Sequence, residues 1–207
     1  MTIPKQFHAF RIHSDAAGYR SGVEEMTLDA LSPGEVLIKT AYSSINFKDA
    51  LAGTGQGKIL RQFPLNGGID VAGHVVASTD AAFREGDAVL VSARELPERG
   101  GCYAEAMVVP EDAPFALPAG LGPEAAVSAP NLQLAQALFL AAGHADAKAV
   151  LITGAAGGVA TMLAQLARHH QMLTLGTARS AFNRGNGVSS VRVGLESPES
   201  LAVLDKA

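Results

Sequence analysis

Along the first half of the chain, short segments alternate apolar and polar residues, and turn-forming residues separate them. Such alternation is typical of strands with one buried face. Joints such as Ser32-Pro33-Gly34 and Gly67-Gly68 favour tight turns, because Pro fixes φ and Gly permits a positive φ. The pattern predicts five strands: Lys5–His13, Glu35–Ala41, Ile69–Ser78, Ala88–Ser92 and Tyr103–Val109. We therefore expect a compact β-rich domain here.

Near residue 115 the pattern changes toward helical spacing. Glu124–Ala142 is rich in Ala and Leu and predicts a helix, which Pro130 should break or restart near Asn131. A short, fully apolar segment follows at Ala149–Thr153. Such a segment is typical of a parallel-sheet strand that is covered on both faces.

A strand–helix–strand unit begins with that apolar segment. Gly157–His170 predicts a helix, because four apolar residues follow the i, i+3, i+4, i+7 spacing: Val159, Met162, Leu163 and Leu166. Met172–Leu175 predicts the second parallel strand, joined by a right-handed crossover. Val188–Val193 is a candidate third strand and Pro198–Lys206 a candidate final helix.

Composition narrows the class of protein. Of 207 residues, 48% are hydrophobic and 17% are charged, so the chain can bury a core and is not largely disordered. The net charge of −4 argues against a nucleic-acid partner. The sequence predicts neither a membrane span nor a secretory signal, so we expect no membrane partner. The single cysteine, Cys102, cannot form an internal disulfide, and we expect a reducing, cytoplasmic setting.

A glycine-rich turn, Gly154 to Ala160, joins the apolar strand to the next helix. Glycine lets the backbone turn sharply and lets a pyrophosphate approach the main chain, while the helix start offers unpaired N–H groups. The turn therefore predicts a dinucleotide site. Its candidate cofactor-binding residues are Gly154, Ala156, Gly157, Gly158 and Val159. The alternative is a tight turn with no ligand.

The end of the second strand indicates which dinucleotide binds. In such units this strand end faces the adenosine ribose, where an acid favours NAD and an arginine favours the 2′-phosphate of NADP. The chain has Thr177, Ala178 and Arg179 there, with no acid. Arg179 offers a planar donor fork that matches a phosphate, so NADP(H) is favoured. The alternative is that Arg179 is an ordinary solvated arginine.

Several stretches carry a family likeness. They are Tyr42–Ala52, Gly57–Pro64, Gly68–Gly73, Phe83–Val89 and Gly100–Glu105, together with the glycine turn and Thr177–Arg179. In order and spacing they resemble the medium-chain dehydrogenase/reductase superfamily, and most of all its zinc-free branch of quinone oxidoreductase-like and acrylyl-CoA reductase-like proteins. The resemblance implies an α/β protein with a β-barrel. A GroES-like catalytic domain would span residues 1–123, and a partial, doubly wound Rossmann NADP-binding domain would span residues 124–207.

The resemblance also implies a reaction. Members of this branch pass hydride from NADPH to an activated double bond or a quinone, so the expected substrate is a small enone, an enoyl-CoA or a quinone. At matching positions, Phe47 would lie against the nicotinamide end of the cofactor. Asn46, Lys48 and Asp49 would line the cleft expected between the two predicted domains, as candidate catalytic residues. Hydride delivery to an α,β-unsaturated thioester creates an enolate, which needs hydrogen-bond donors at its oxygen and a proton source at the α carbon. Backbone N–H groups, Asn46 and Lys48 are the candidate donors.

The same residues have simpler interpretations. Asn46 and Asp49 are equally explained as turn and cap residues of the following segment, and Lys48 as a solvated lysine. His74 and Cys102 are interpreted as structural residues, and the histidines show no zinc-like spacing, so we expect no metal.

The chain is shorter than the family it resembles. A three-stranded parallel sheet would leave an exposed edge and an uncovered face, and that edge could pair with a second copy to form a homodimer. Two functions therefore stay open: an NADPH-dependent reductase, or a non-catalytic relative that acts as a nucleotide-binding or interaction module.

Overall fold

The computed structural model describes residues 5–92, 101–143, 146–178 and 189–192. The chain separates into two compact units, residues 1–128 and residues 129–207. Within the described ranges, no helix is long and apolar enough to cross a membrane. The candidate final helix lies outside the described residues.

The first unit begins with a three-stranded antiparallel sheet in the order β2-β1-β4. Its strands are β1 (Gln6–Asp15), β2 (Gly18–Thr27) and β4 (Leu65–Asn66). The predicted first strand is confirmed. The sequence analysis did not predict β2, because it alternates poorly and exposes most of its side chains. A short 3-10 helix, Leu28–Ala30, follows β2.

The first unit also contains a five-stranded antiparallel sheet in the order β7-β3-β5-β6-β8. Its strands are β3 (Val36–Ser43), β5 (Asp70–Ser78), β6 (Ala88–Ser92), β7 (Ala106–Val109) and β8 (Pro114–Ala116). Inward-facing valines and other apolar side chains fill its core, among them Val36, Ile38, Val71, Val75 and Val89. The four strands predicted in this region are confirmed, with small shifts of their ends.

The two sheets are linked but do not close into a barrel in the described part of the chain. An antiparallel bridge joins Ala9 to Ala104, and the backbone N–H of Phe10 donates to the carbonyl oxygen of Tyr103 at 2.7 Å. Helix α1 (Phe47–Thr54) follows β3. Helix α2 (Pro123–Ala126) contacts β3, β5 and β6, so it lies with the first unit. The predicted domain division after residue 123 stays a prediction.

Over its described residues, the second unit contains a parallel three-stranded sheet in the order β11-β10-β9 and two helices. Its elements are α3 (Ala129–Ala141), β9 (Ala149–Thr153), α4 (Gly158–His169), β10 (Leu173–Ala178) and β11 (Ser189–Arg192). The predicted strand–helix–strand unit and third strand are therefore confirmed. Pro130 lies in the first turn of α3, where a missing N–H is tolerated, so the helix restarts just before it rather than at Asn131.

One expectation about β9 is wrong. The apolar segment was expected to be covered on both faces, but Leu151 of β9 is 50% exposed and Leu173 of β10 is 52% exposed. On the other face Ile152 is buried, where it packs with Ala155 and Ala164 of the turn and α4. The described part of this unit thus covers one face of its sheet with α3 and α4.

Candidate functional site

Asn46 is the residue immediately before α1 and has an extended backbone. Its backbone N–H donates to Oδ2 of Asp49 at 2.7 Å, so the Asp49 carboxylate caps the first turn. The interpretation of both residues as helix caps is therefore correct. It does not exclude a chemical role, because capping fixes both side chains in place.

A buried carboxylate, Asp70, holds the other side of this turn. Asp70 is 2% exposed and lies at the start of β5. Its Oδ2 accepts hydrogen bonds from Ser44 Oγ at 2.8 Å and from Asn46 Nδ2 at 2.9 Å, and its Oδ1 accepts one from Ser92 Oγ at 2.8 Å. Asn46 Nδ2 also donates to Ser44 Oγ at 2.9 Å. Asn46 Nδ2 thus already has two protein acceptors.

Close backbone contacts bring Tyr103 to the same place. Tyr103 N–H donates to the carbonyl oxygen of Gly67 at 2.8 Å, and Cys102 N–H to that of Gly68 at 3.2 Å. Gly101 packs directly on these carbonyls, where a side chain would collide with them. The Tyr103 hydroxyl then reaches the carbonyl oxygen of Ser44, at 2.8 Å.

The electrostatics of Asp49 are unusual for a cap residue. It is 6% exposed, and its Oδ1 has no hydrogen-bond partner among the described residues. Burial raises the pKa of Asp49, and the neighbouring Asp70 raises it further, while the hydrogen bond from Asn46 lowers it. Burial and the negative charge of Asp49 likewise raise the pKa of Tyr103. Burial also raises the pKa of Cys102, which is 1% exposed, in keeping with a structural thiol.

A cleft of about 540 Å³ opens beside α1, wholly within the first unit. It is lined by Phe10, Ser21, Ser43, Ile45, Asp49, Ala50, Gly53, Thr54 and Tyr103. Asp49 and Tyr103 are the ionisable groups in this lining. The cleft is therefore a mostly apolar space with a buried carboxyl group in its wall.

Two large apolar side chains project from the start of α1. Ile45 is 85% exposed and Phe47 is 79% exposed, and Lys48 beside them is exposed as well. Single exposed apolar residues are common, but two neighbours this exposed beside a buried polar network are typical of a contact surface. The prediction that Phe47 contacts a cofactor stays a prediction.

The glycine turn of the second unit is built from backbone. Gly154 has φ of +62°, which favours glycine, and the Ala155 N–H donates to the carbonyl oxygen of Thr177 at 2.9 Å. Gly157 N–H donates to the carbonyl oxygen of Gly154 at 2.9 Å. Gly157 is the N-cap of α4 and supplies no side-chain cap, so the N–H groups of Gly158, Val159 and Ala160 face the turn.

Small residues keep this helix start accessible. Gly154, Ala156, Gly157 and Gly158 are all exposed, while Val159 is half-buried. Thr177 and Ala178 end β10 and are half-buried. β9 leads into the glycine turn and pairs with β10. Thr177, near the end of β10, therefore lies beside the turn. Arg179 lies outside the described residues.

The sequence analysis missed Ser44, Asp70, Ser92 and Tyr103 as site residues. Their link to Asn46 depends on strand register, in which Asp70 pairs with Ser92 across β5 and β6. The sequence did offer one indication of this network, namely Asp70 directly after Gly67-Gly68-Ile69. A carboxylate at the start of a Val-rich strand is expected to be buried and therefore needs hydrogen-bond partners. In the described residues no group of three or more His, Cys, Asp or Glu side chains is placed to hold a metal ion.

Comparison with known proteins relates the chain to one group of oxidoreductases. Residues 32–119 match the alcohol dehydrogenase GroES-like domain. YhfP of Bacillus subtilis, named as a quinone oxidoreductase, is 39% identical over 159 residues, which cover 74% of this chain and 48% of that protein. Acrylyl-CoA reductase AcuI of Ruegeria pomeroyi is 31% identical over 159 residues, which cover 72% of this chain and 47% of that protein. The chain thus spans about half the length of these relatives.

The solved structures that are similar to this chain include proteins of the same kind. The yhdH oxidoreductase of Salmonella enterica, in complex with NADP, matches with a TM-score of 0.82 and 30% identity, over 91% of this chain and 61% of that one. The yhfP protein of Bacillus subtilis, with NAD bound, matches with a TM-score of 0.79 and 31% identity, over 90% of this chain and 60% of that one. The resemblance to quinone oxidoreductase-like and acrylyl-CoA reductase-like proteins is confirmed. The predicted GroES-like domain and mixed α/β fold are confirmed as well, although the sheets of the first unit do not close into a barrel in the described residues.

Proposed function

We propose that the chain binds NADP(H) and takes part in hydride transfer to an activated double bond or a quinone. The observation that carries this proposal is the glycine turn, in which exposed small residues leave the first N–H groups of α4 uncapped. A helix start of this kind binds phosphate through its N–H groups and its dipole. Relatives solved with NADP and with NAD support the same class of ligand.

The residues of the turn fit a diphosphate. A Cβ at Gly157 would lie 3.3 Å from the carbonyl oxygen of Gly154, and an added side chain would extend over the N–H groups. Gly154 and Gly157 would shape the turn, while Ala156, Gly158 and Val159 would contact the phosphates. Thr177, Ala178 and Arg179 would surround the adenosine ribose, where Arg179 favours the 2′-phosphate of NADP(H).

The first unit would supply the substrate side of the reaction. When bound, the nicotinamide supplies the hydride. Phe47 would pack against it as an apolar surface, and Lys48, which is exposed, would donate to the substrate oxygen as negative charge develops there. Asp49 would pass a proton to the product from the wall of the cleft, where its carboxyl group is buried and where burial raises its pKa.

Asn46 has a more restricted role in this proposal. Its amide nitrogen already donates to Asp70 and Ser44, so donation to a substrate would compete with these bonds. We therefore place Asn46 as the residue that fixes the start of α1, with the buried Asp70 as its anchor. No step of this chemistry assigns a role to a metal.

NADPH fluorescence titration of the purified chain, followed by turnover assays with a quinone and with acrylyl-CoA, tests the proposal. We expect saturable NADPH binding and oxidation of NADPH in the presence of at least one substrate. Absence of binding would overturn the proposal. Binding without turnover would instead favour the alternative, a nucleotide-binding relative without catalysis.

A further inference from the structure

Hydroxyl groups of β2 join the last turn of α1. The Tyr19 hydroxyl donates to the carbonyl oxygen of Ala52, and Ser21 Oγ donates to that of Gly53 at 2.8 Å. Carbonyl groups at the end of a helix have no intrahelical N–H partner. These two side chains, more than 30 residues away in sequence, therefore satisfy acceptors that α1 cannot satisfy itself.

The backbone is shaped to admit the Tyr19 ring. Gly55 ends α1 with φ of +75°, and a Cβ there would lie 2.9 Å from the ring. On another side the ring packs edge-to-face on Phe63, with centroids 5.7 Å apart. The contact between β2 and α1 is thus a packed feature with a defined geometry, rather than a surface encounter of two hydroxyl groups.

These contacts bear on the position of the candidate catalytic residues. Helix α1 has only eight residues, too few to be stable alone, so its position depends on what holds its ends. Asp70 and Ser44 hold its start through Asn46, while Tyr19 and Ser21 hold its last turn. Between these two anchors the helix presents Asp49, Ala50, Gly53 and Thr54 to the cleft.

We propose that Tyr19 and Ser21 are positioning residues for the reaction, an inference that rests on the proposed function. Their hydroxyl groups fix the last turn of α1, and so set where Asp49 and Lys48 stand relative to a substrate in the cleft. Tyr19 needs no contact with the substrate for this role. NADPH affinity should depend little on either residue, because the glycine turn is in the other unit and Phe47 lies at the opposite end of α1, where Asn46 fixes the helix start.

The double variant Tyr19→Phe/Ser21→Ala tests this inference, since it removes both hydroxyl groups and keeps the ring. One control accompanies it: Ser14→Ala, which removes an exposed hydroxyl group from β1 outside the cleft. We expect kcat/KM for the quinone or acrylyl-CoA to fall about tenfold, with the NADPH Kd unchanged to within about twofold. Amide hydrogen exchange in the last turn of α1 should quicken, and the Ser14→Ala control should behave like the wild-type chain.

Three outcomes would count against the inference, and they are distinguishable. If the wild-type chain turns over substrate and the double variant matches it, the inference alone is wrong. A second outcome is that NADPH affinity and turnover both fall in the double variant while amide hydrogen exchange quickens throughout the first unit. In that case Tyr19 and Ser21 are merely structural and the inference is overturned. If the wild-type chain turns over neither substrate, the proposed function fails and the inference fails with it.

Discussion

The two units build their candidate sites in opposite ways. In the first unit, side chains make the site: Asp70 accepts three hydrogen bonds and fixes Asn46. In the second unit, backbone makes the site: glycines at 154, 157 and 158 leave N–H groups exposed. The first site should therefore lose its structure when a side chain is removed, whereas the second should lose its affinity for the cofactor when a side chain is added.

The largest effect is expected from Gly157→Asp. An aspartate is a good N-cap, so its carboxylate would accept the free N–H groups of α4 and repel a phosphate. We expect the NADPH Kd to rise about a hundredfold, while thermal stability stays equal or improves slightly. Fluorescence titration and thermal unfolding measure the two quantities separately.

The chain offers a matched control for that variant. Gly122 is also an N-cap glycine, with φ of −81° and ψ of 161° against −80° and 156° for Gly157, and a Cβ there meets open space. Gly122→Asp should leave NADPH affinity unchanged. If Gly157→Asp binds NADPH as tightly as wild type does, the N–H groups of the glycine turn do not form the cofactor site, and the contrast between the two units is wrong.

The second effect is loss of stability on removing the Asp70 carboxylate. Asp70→Ala leaves Ser44, Asn46 and Ser92 without their shared acceptor, and we expect the free energy of unfolding to fall by about 3 kcal/mol. Urea unfolding followed by circular dichroism measures it. Asp112→Ala, at an exposed carboxylate of the same unit, should change stability by less than about 0.5 kcal/mol. Equal effects at both positions would mean that the Asp70 network adds little.

A third, smaller effect concerns the choice of cofactor. Arg179→Glu replaces the candidate partner of the 2′-phosphate by a like charge. We expect NADPH affinity to fall about tenfold more than NADH affinity, because only NADPH carries that phosphate. Parallel titrations with the two cofactors measure the ratio, and equal weakening of both would refute this role of Arg179.

The smallest effect is a pH dependence at Asp49. Its pKa is raised in the folded chain, so the folded state binds this proton more tightly than the unfolded state does. The contribution of Asp49 to the free energy of unfolding therefore falls as pH rises above the ordinary value of 3.8. Asp49→Asn does not titrate, so its stability relative to wild type should improve as pH rises. Urea unfolding at several pH values gives the difference, and a difference independent of pH would contradict the raised pKa.

Much of the fold was predictable because local pattern and tertiary structure agree. β6 and β9 have the predicted ends, Ala88–Ser92 and Ala149–Thr153, since turn residues bound both apolar runs. β2 was missed because Gly18–Thr27 is polar, contains two glycines and is held mainly by its pairing with β1. Pairing with a neighbouring strand depends on tertiary structure, so the hydrophobic periodicity of the sequence does not predict it.

The candidate site was predictable only where its residues are adjacent in sequence. Asn46 to Asp49 and Gly154 to Val159 are contiguous stretches with cap or turn chemistry of their own. Asp70, Ser92 and Tyr103 join the first site through strand register and through glycine contacts, 22 to 59 residues away from their partners. Such partners become visible only when the sheet is assembled.

The central claim is that the N–H groups at the start of α4 bind the diphosphate of NADPH. Backbone amide NMR of the ¹⁵N-labelled chain tests it directly during an NADPH titration. We predict that the signals of Gly158, Val159 and Ala160 move most and saturate with the Kd found by fluorescence. If these three signals stay in place in excess NADPH, the turn does not bind the cofactor and the claim is wrong.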